Sequence, residues 1–288
     1  MEQKLYGGIE LGGTKTICVI GDVGGIILAQ TTIPTSNVDQ TFAAIFEFFE
    51  QYPPVASLGV GSFGPLHLDP SSPDYGCIYN TPKQGWSNVN IKSLLEERLK
   101  LDVVIELDVN CAALGEHYYG VARHVHSFVY LTLGTGIGGS LIIDDKLVHG
   151  LLNLEMGHTR IPHEPFAGSF QGSCSFHGDC FEGIASGTAV EQRYGKKGEE
   201  ITDIEIWNRQ AGYVASAIGN LMLTIGPELI VIGGGLTGNS VLLDAARLAV
   251  QQNINGYMVF PDLENYIVKS SGNTNGVLGA IKLASRSN

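Results

Sequence analysis

KLYGGIELGGTKTICVI, residues 4–20, carries two apolar, β-branched runs on either side of a Gly-Gly turn. The pattern predicts two short strands, 4–10 and 16–20, joined by that turn. Residues 127–133 and 139–143 repeat the pattern on either side of GTGIG. The sequence therefore indicates a loose internal duplication, in which each half opens with a strand, a glycine turn and a second strand.

Outward from these turns, strand patterns alternate with helix patterns, as they do in α/β proteins. Further strand patterns cover residues 25–33, 57–61, 102–107, 228–235 and 265–269. Helix patterns cover residues 38–50, 91–100, 109–119, 203–224, 240–252 and 275–285. We expect an α/β fold of two lobes with a cleft between them, formed by residues 1–118 with the C-terminal helix 272–288, and by residues 119–271.

The composition is that of a globular protein: 288 residues, of which 44% are hydrophobic and 16% charged. A net charge of -12 argues against a nucleic-acid partner or an anionic membrane surface. The first residues lack the pattern of a secretory signal, and no apolar run approaches the ~18 residues of a membrane helix, so we expect a cytoplasmic protein. The five cysteines, an odd number, indicate reduced thiols or metal ligands rather than disulfides.

Three glycine turns are candidates for phosphate binding, because glycine lets backbone amides approach the oxygens without a side-chain clash. GGTK at 12–15 adds a hydroxyl and a cation, and GTG at 134–136 repeats the turn in the second half. GGG at 233–235 follows a buried strand, where a nucleotide can enter an α/β fold. Any one of these turns taken alone is also compatible with a tight hairpin that needs positive φ. None fits a P-loop or a dinucleotide-binding fingerprint.

Asp108 stands at the end of the apolar strand 102–107 and at the start of the helix 109–119. A carboxylate at such a strand end can accept the proton of an attacking hydroxyl. An ordinary helix N-cap carboxylate is the alternative interpretation of the same position.

CSFHGDC places Cys174, His177 and Cys180 three residues apart, with His158 upstream. Two thiolates and two imidazoles make a complete tetrahedral set for a structural Zn²⁺, with His163 as a competing ligand. Because a closed site leaves no position for water, the metal should shape the loop 158–180 rather than take part in chemistry. Two unrelated buried cysteines beside chance histidines are the alternative.

Five ordered motifs together resemble the ROK family of sugar kinases (repressor, open reading frame, kinase), and most of all its bacterial zinc-containing fructokinase branch. The motifs are IELGGTK at 9–15, ELDVNCAALGE at 106–116, LTLGTGIGG at 131–139, EMGH at 155–158 and the cysteine–histidine cluster at 174–180. The resemblance implies the actin-like ATPase fold of sugar kinases, with two ribonuclease-H-like lobes, and phosphoryl transfer from Mg²⁺-ATP to a hexose. It also implies a homodimer.

The resemblance further implies roles for individual residues, with Asp108 as the general base. The implied sugar contacts are Glu155 and His158, with Gly64, Asn80 and Asn110 as weaker candidates. The implied ATP-binding residues are Glu10, Gly12, Gly13, Thr14, Lys15, Thr132, Gly134, Thr135, Gly136, Thr188, Gly234, Gly235, Leu236, Thr237, Gly238, Asn239 and Ser240. The zinc ligands are His158, Cys174, His177 and Cys180.

Two positions depart from the family pattern: Glu10 replaces the usual Asp, and Leu107 replaces the usual Asn before the general base. Because leucine cannot hydrogen-bond a sugar hydroxyl, we expect weak selection of glucose. The predicted activity is ATP-dependent phosphorylation of D-fructose to D-fructose 6-phosphate. The alternatives are a kinase for mannose, glucose or an N-acylhexosamine, and a sugar-binding regulator without activity, which would need an added DNA-binding helix-turn-helix.

Overall fold

The computed structural model describes residues 4–163 and 170–286. The chain forms two compact units, the first made of residues 1–124, 149–153 and 271–288 and the second of 125–148 and 154–270. Residues 119–124, 149–153 and 271, which the sequence places in the second lobe, therefore belong to the first unit. Outside the described part of the chain lie residues 1–3 of the predicted first lobe, 164–169 of the predicted zinc loop and 287–288 of the predicted C-terminal helix.

Strands and helices alternate along both units. The strands are β1 (Tyr6–Leu11), β2 (Lys15–Gly21), β3 (Ile27–Pro34), β4 (Leu58–Ser62), β5 (Val103–Leu107), β6 (Phe128–Leu133), β7 (Ile137–Ile143), β8 (Lys146–Leu147), β9 (Leu229–Gly233) and β10 (Ile267–Lys269). The helices are α1 (Val38–Glu50), α2 (Ile91–Leu99), α3 (Asp108–Tyr119), α4 (Phe181–Ala185), α5 (Gly187–Tyr194), α6 (Ile204–Thr224), α7 (Ser240–Ile254), α8 (Leu263–Tyr266) and α9 (Asn275–Ala284). Short 3-10 turns cover Met156–His158, Gly198–Glu200 and Gly235–Gly238.

Each unit is built on one five-stranded sheet, and the two sheets share a topology. The first sheet has the order β3-β2-β1-β4-β5 and the second, read from its other edge, β8-β7-β6-β9-β10. In both sheets, the first three strands of this order pair antiparallel with one another, and the third, fourth and fifth pair in parallel. The internal duplication predicted from the glycine turns is confirmed at the level of topology.

Parallel pairing brings the ends of three strands of the first sheet to one edge. Leu11 lies opposite Ser62, which in turn lies opposite Leu107. The first glycine turn, the loop after β4 and the start of α3 therefore share this edge. In the second sheet, β6 and β9 end side by side in the same way, which places the second and third glycine turns together. The carboxyl ends of parallel strands are where α/β folds bind ligands.

A buried carboxylate joins the C-terminal segment to the first unit. Glu116, near the end of α3, accepts hydrogen bonds from the backbone amide of Ser271 at 2.8 Å, from its hydroxyl at 2.9 Å and from Nδ2 of Asn275 at 2.5 Å. Asn275 begins α9, so these bonds hold α9 against α3. Since a buried carboxylate is costly without donors, Glu116 and this segment depend on one another.

The core of the second unit joins apolar residues of its sheet to α6 and α7, with Trp207, Ile218 and Leu242 among the buried side chains. Although α6 has 21 residues, none of the described helices combines the length and apolar character that a membrane crossing requires. The cytoplasmic location stays a prediction.

Candidate active site

Asp108 is the first residue of α3 and follows β5 directly. Its Oδ1 accepts the backbone amide of Val109 at 2.7 Å, and the residue stays partly accessible. Burial raises the pKa of Asp108 from 3.8 to about 6, against the lowering effect of backbone hydrogen bonds. Leu107 occupies the N-cap position of α3, so Asp108 is not the ordinary N-cap carboxylate that the sequence also allows. A carboxylate of this kind can accept a proton at neutral pH.

Glu10 lies near the end of β1, and Lys15 begins β2. Burial and then the charge of Asp108 raise the pKa of Glu10 to about 7, while Lys15 lowers it. Gly276 in α9 makes room for this carboxylate, because a Cβ there would collide with Glu10 Oε2. A carboxylate oxygen such as that of Glu10 suits Mg²⁺, and an ammonium group such as that of Lys15 suits a phosphate. The two side chains therefore fit Mg²⁺-ATP.

The first glycine turn is closed by the backbone amide of Gly12, which donates to the carbonyl of Lys15 at 3.0 Å. Neither Gly12 nor Gly13 has a positive φ, so backbone conformation is not the reason for the glycines. A Cβ on Gly13 would meet no atom within 4 Å, so the space beside this residue is open. Lys83 supports the turn, since its Nζ donates to the carbonyls of Gly13 at 2.7 Å and Thr35 at 2.9 Å.

Three predicted sugar residues lie in the first unit. Gly64 follows β4, and Asn110 lies in the first turn of α3, at the sheet edge that carries Asp108. Asn80 is exposed, on a stretch that an antiparallel bridge holds beside the segment after Gly64. The structure thus brings Gly64 and Asn110 to the edge of Asp108.

The predicted zinc ligands converge within the second unit. One ligand atom from each of His158, Cys174, His177 and Cys180 lies within 4.8 Å of the other three. His158 Nδ1 is 3.7 Å from Cys174 Sγ and 3.5 Å from Cys180 Sγ, and His177 Nδ1 is 3.7 Å from Cys174 Sγ. A tetrahedral Zn²⁺ with bonds of about 2.3 Å to sulfur and about 2.0–2.1 Å to nitrogen separates the two atoms by about 3.6 Å. These three separations therefore fit a tetrahedral zinc ion.

His163, the competing ligand, lies against Asp179 instead, with Nε2 3.2 Å from Oδ2. His158 is predicted to contact both metal and sugar. Its Nδ1 faces the two sulfurs, so a sugar contact would have to come from Nε2. Glu155, the other predicted sugar residue of the EMGH motif, is exposed just before the 3-10 turn.

A cavity of about 790 Å³ lies in the second unit, within the range of about 300–1,000 Å³ usual for cofactor sites. The predicted ATP-binding residues that line it are Gly134, Thr135, Thr188, Gly235, Leu236, Gly238 and Asn239. Those that do not are Thr132, Gly136, Gly234, Thr237 and Ser240, and the first glycine turn with Glu10 and Lys15 belongs to the first unit.

Hydrogen bonds join α5 to the second glycine turn in this lining. The Gly187 amide donates to the carbonyl of Gly134 at 2.8 Å, and Thr188 Oγ1 donates to the carbonyl of Thr135 at 2.8 Å. Ser186, rather than Thr188, is the N-cap of α5. Thr188 therefore forms part of the cavity wall and is not the helix cap.

Two groups of residues carry no sequence signal. The cavity is also lined by Glu191, Lys197, Gly198, Glu199 and Trp207, which belong to no motif, and by Gly187, the neighbour of Thr188. His149 also stands in no motif, and the structure places this exposed side chain with its Nε2 2.6 Å from Oε1 of the buried Glu106. These two residues are far apart in the chain, so no spacing could have linked them.

The sheet order shared by both units is that of ribonuclease-H-like lobes, and a chain with two of them has the actin-like ATPase fold of the sugar kinases. The predicted fold is thus confirmed. Residues 6–287 match the model of the ROK family, and the chain belongs to that family.

Relatives match over nearly the whole chain. The fructokinase of Zymomonas mobilis is 39% identical, over 98% of this chain and 97% of the relative. The fructokinase of Lactococcus lactis subsp. cremoris is 38% identical, over 97% and 96%. Among solved structures, the ROK family glucokinase from Streptomyces griseus in complex with glucose and AMPPNP matches with a TM-score of 0.80 at 24% identity, covering 98% of this chain and 99% of that one. That last likeness concerns the fold.

Proposed function

We propose that this protein is an ATP-dependent hexose kinase that converts D-fructose to D-fructose 6-phosphate. The observation that carries the proposal is Asp108, a partly accessible carboxylate with a pKa of about 6. It lies at the same sheet edge as the first glycine turn. The fructokinase relatives, 38% and 39% identical, support fructose as the sugar.

In the proposed reaction, Asp108 accepts the proton of the fructose 6-hydroxyl while the hydroxyl oxygen attacks the γ-phosphorus of ATP. A bond forms between that oxygen and phosphorus, the bond to the oxygen that bridges to the β-phosphate breaks, and ADP leaves with the electron pair. Lys15 and the amides of Gly13 and Thr14 bind phosphate oxygens, while the Gly12 amide closes the turn on the Lys15 carbonyl. Glu10 would hold Mg²⁺, which when bound neutralises charge on the phosphates.

The cavity of the second unit is the proposed nucleotide site. The second and third glycine turns and the start of α5 line this cavity, and Thr188 at the start of α5 adds a hydroxyl. Zn²⁺ in the four-ligand cluster is proposed to be structural, because a closed tetrahedral site has no open position for water. A cytoplasmic homodimer completes the proposal, on the strength of the family resemblance.

A coupled ADP-release assay over fructose, mannose, glucose and N-acetylglucosamine tests the function. We expect release that depends on sugar and is fastest with fructose. Faster release with another hexose would keep the kinase and change its substrate. Hexose binding without any sugar-stimulated release would overturn the kinase and indicate a sugar-binding regulator.

A further inference from the structure

Glu106 is a buried carboxylate that the proposed reaction does not use. It lies in β5, two residues before Asp108, and is 7% exposed. Its Oε2 accepts from Asn110 Nδ2 at 2.7 Å and from the Leu107 amide at 3.2 Å, and its Oε1 lies 2.6 Å from His149 Nε2. Both oxygens are therefore engaged. Glu106 links a predicted sugar residue to a histidine from a distant part of the chain.

This contact fixes the direction of the Asn110 amide. The Asn110 amide nitrogen is the donor to Glu106 Oε2, so Asn110 presents Nδ2 to the carboxylate. Asn110 is buried, so its side chain cannot rotate freely. Asn110 Oδ1 is thereby left to accept a hydrogen bond from a substrate hydroxyl.

His149 begins a short segment, 149–153, that belongs to the first unit although the residues on either side belong to the second. Both ends of the segment are fastened: His149 to Glu106, and Asn153, whose Nδ2 donates to the carbonyl of Leu66 at 3.0 Å. Leu66 lies two residues beyond Gly64. The segment thus runs between the group that orients Asn110 and the loop that carries Gly64.

The imidazole of His149 can serve as a donor at this place. The side chain of His149 is 45% exposed. Its Nε2 contacts Glu106, and Nδ1 is the second nitrogen of the ring. The hydrogen bond to Glu106 raises the pKa of His149, so the ring keeps its second N–H to a higher pH than a free imidazole. A charged donor makes a stronger hydrogen bond to a hydroxyl than a neutral one.

We propose that Glu106 is a positioning residue and His149 a selectivity residue for the hexose: Glu106 fixes Asn110 as an acceptor, and His149 donates to a sugar hydroxyl that Leu107 cannot bind. The inference rests on the proposed hexose kinase function.

His149→Gln is the main test, because a half-exposed side chain can be replaced without loss of the fold. We expect the KM for fructose to rise about tenfold, the effect of losing one charge-assisted hydrogen bond, while kcat changes less than about twofold and the KM for ATP stays the same. His126→Gln is the matched control. His126 also pairs with a carboxylate, 2.9 Å from Asp145 Oδ2, but is 72% exposed on the second unit, and both KM values should be unchanged.

Glu106→Gln should also raise the KM for fructose. The double variant should have a fructose KM no higher than that of the more impaired single variant, because the two residues act as one unit. A fructose KM within about twofold of wild type in His149→Gln, or equal rises for fructose and ATP, would overturn the inference while the kinase stands. Calorimetric titration of the wild type and of His149→Gln with fructose alone compares the Kd values for fructose directly. It therefore decides the inference even if the wild type phosphorylates no hexose, the result that would sink the proposed function itself.

Discussion

Asp108 and Asp69 are both aspartates, but their pKa values are shifted in opposite directions. Burial raises the pKa of Asp108 to about 6. The hydroxyl and amide of Ser71 lower the pKa of the exposed Asp69. Since a base works best with a pKa close to the working pH, burial at the end of β5 is what makes Asp108 suitable for proton transfer.

Asp108→Asn should keep the fold and nucleotide binding while turnover falls about 10²- to 10⁴-fold, the usual contribution of a positioned general base. Asparagine has nearly the same shape and cannot take the proton. Steady-state kinetics with fructose, together with a thermal melt, check this. Near-wild-type turnover would remove Asp108 from the mechanism.

The pH dependence of kcat/KM should follow the same carboxyl. Asp108 is a base only without its proton, and its pKa is raised to about 6, so kcat/KM should rise with pH through about 6. It should level off only above about 7, where the proposed Mg²⁺ ligand Glu10 is also ionised. Below about pH 6 the rate should fall at least about tenfold per unit, at values where an ordinary aspartate is still ionised. A profile that stays flat through this range in folded protein would contradict the assignment.

Local sequence could predict some site residues and not others. The four proposed zinc ligands stand at a spacing that predicts a metal site, and the family motif around Asp108 implies its role as the base. The pairing of Glu106 with His149 joins two separate parts of the chain, and the raised pKa of Glu10 comes from burial and a neighbouring charge. Both depend on packing, which no local pattern records.

Among the secondary-structure elements, long periodic patterns were predicted well. The helix predicted at 203–224 is α6, and the helix predicted at 38–50 is α1. The strand predicted at 265–269 is wrong in its first half, which forms the end of α8. The carboxylate of Asp262 accepts the Glu264 amide at 3.2 Å and starts that helical turn, so a side-chain cap outweighs a short apolar run.

The helix α4 begins at the proposed zinc cluster. Cys180 is both a proposed ligand and the N-cap of α4, where its Sγ accepts the Gly183 amide at 3.4 Å. A thiol is not an ordinary capping signal, which explains why the sequence does not predict this helix.

Metal analysis of protein purified without chelator should find about one Zn per chain. Cys174→Ser and Cys180→Ser should lose the ion, and a loss of about 3 kcal/mol would lower the thermal midpoint by roughly 6–12 °C. Cys77→Ser is the control, since this partly buried cysteine stands outside the cluster and in the first unit. Serine variants of the cluster that keep both ion and midpoint would show that it is not a zinc site.

At the scale of the whole molecule, one topology occurs twice with different additions. The first unit carries Asp108 and Glu10, and the second carries the four-ligand cluster and the cavity. The repeated glycine turns were enough to predict the duplication. Which copy receives which site depends on the side chains and loops at the strand ends, and topology alone does not determine them.

The central claim, a hexose kinase selective for fructose, is tested most directly by the ratio of kcat/KM for fructose to that for glucose in one competition assay. Leu107, 6% exposed and next to Asp108, offers no polar atom to an equatorial glucose hydroxyl, and an unpaired hydroxyl costs about 1–3 kcal/mol. We predict a ratio of at least about ten in favour of fructose, which Leu107→Asn should reduce. Equal or higher specificity for glucose in the wild-type protein would contradict the account.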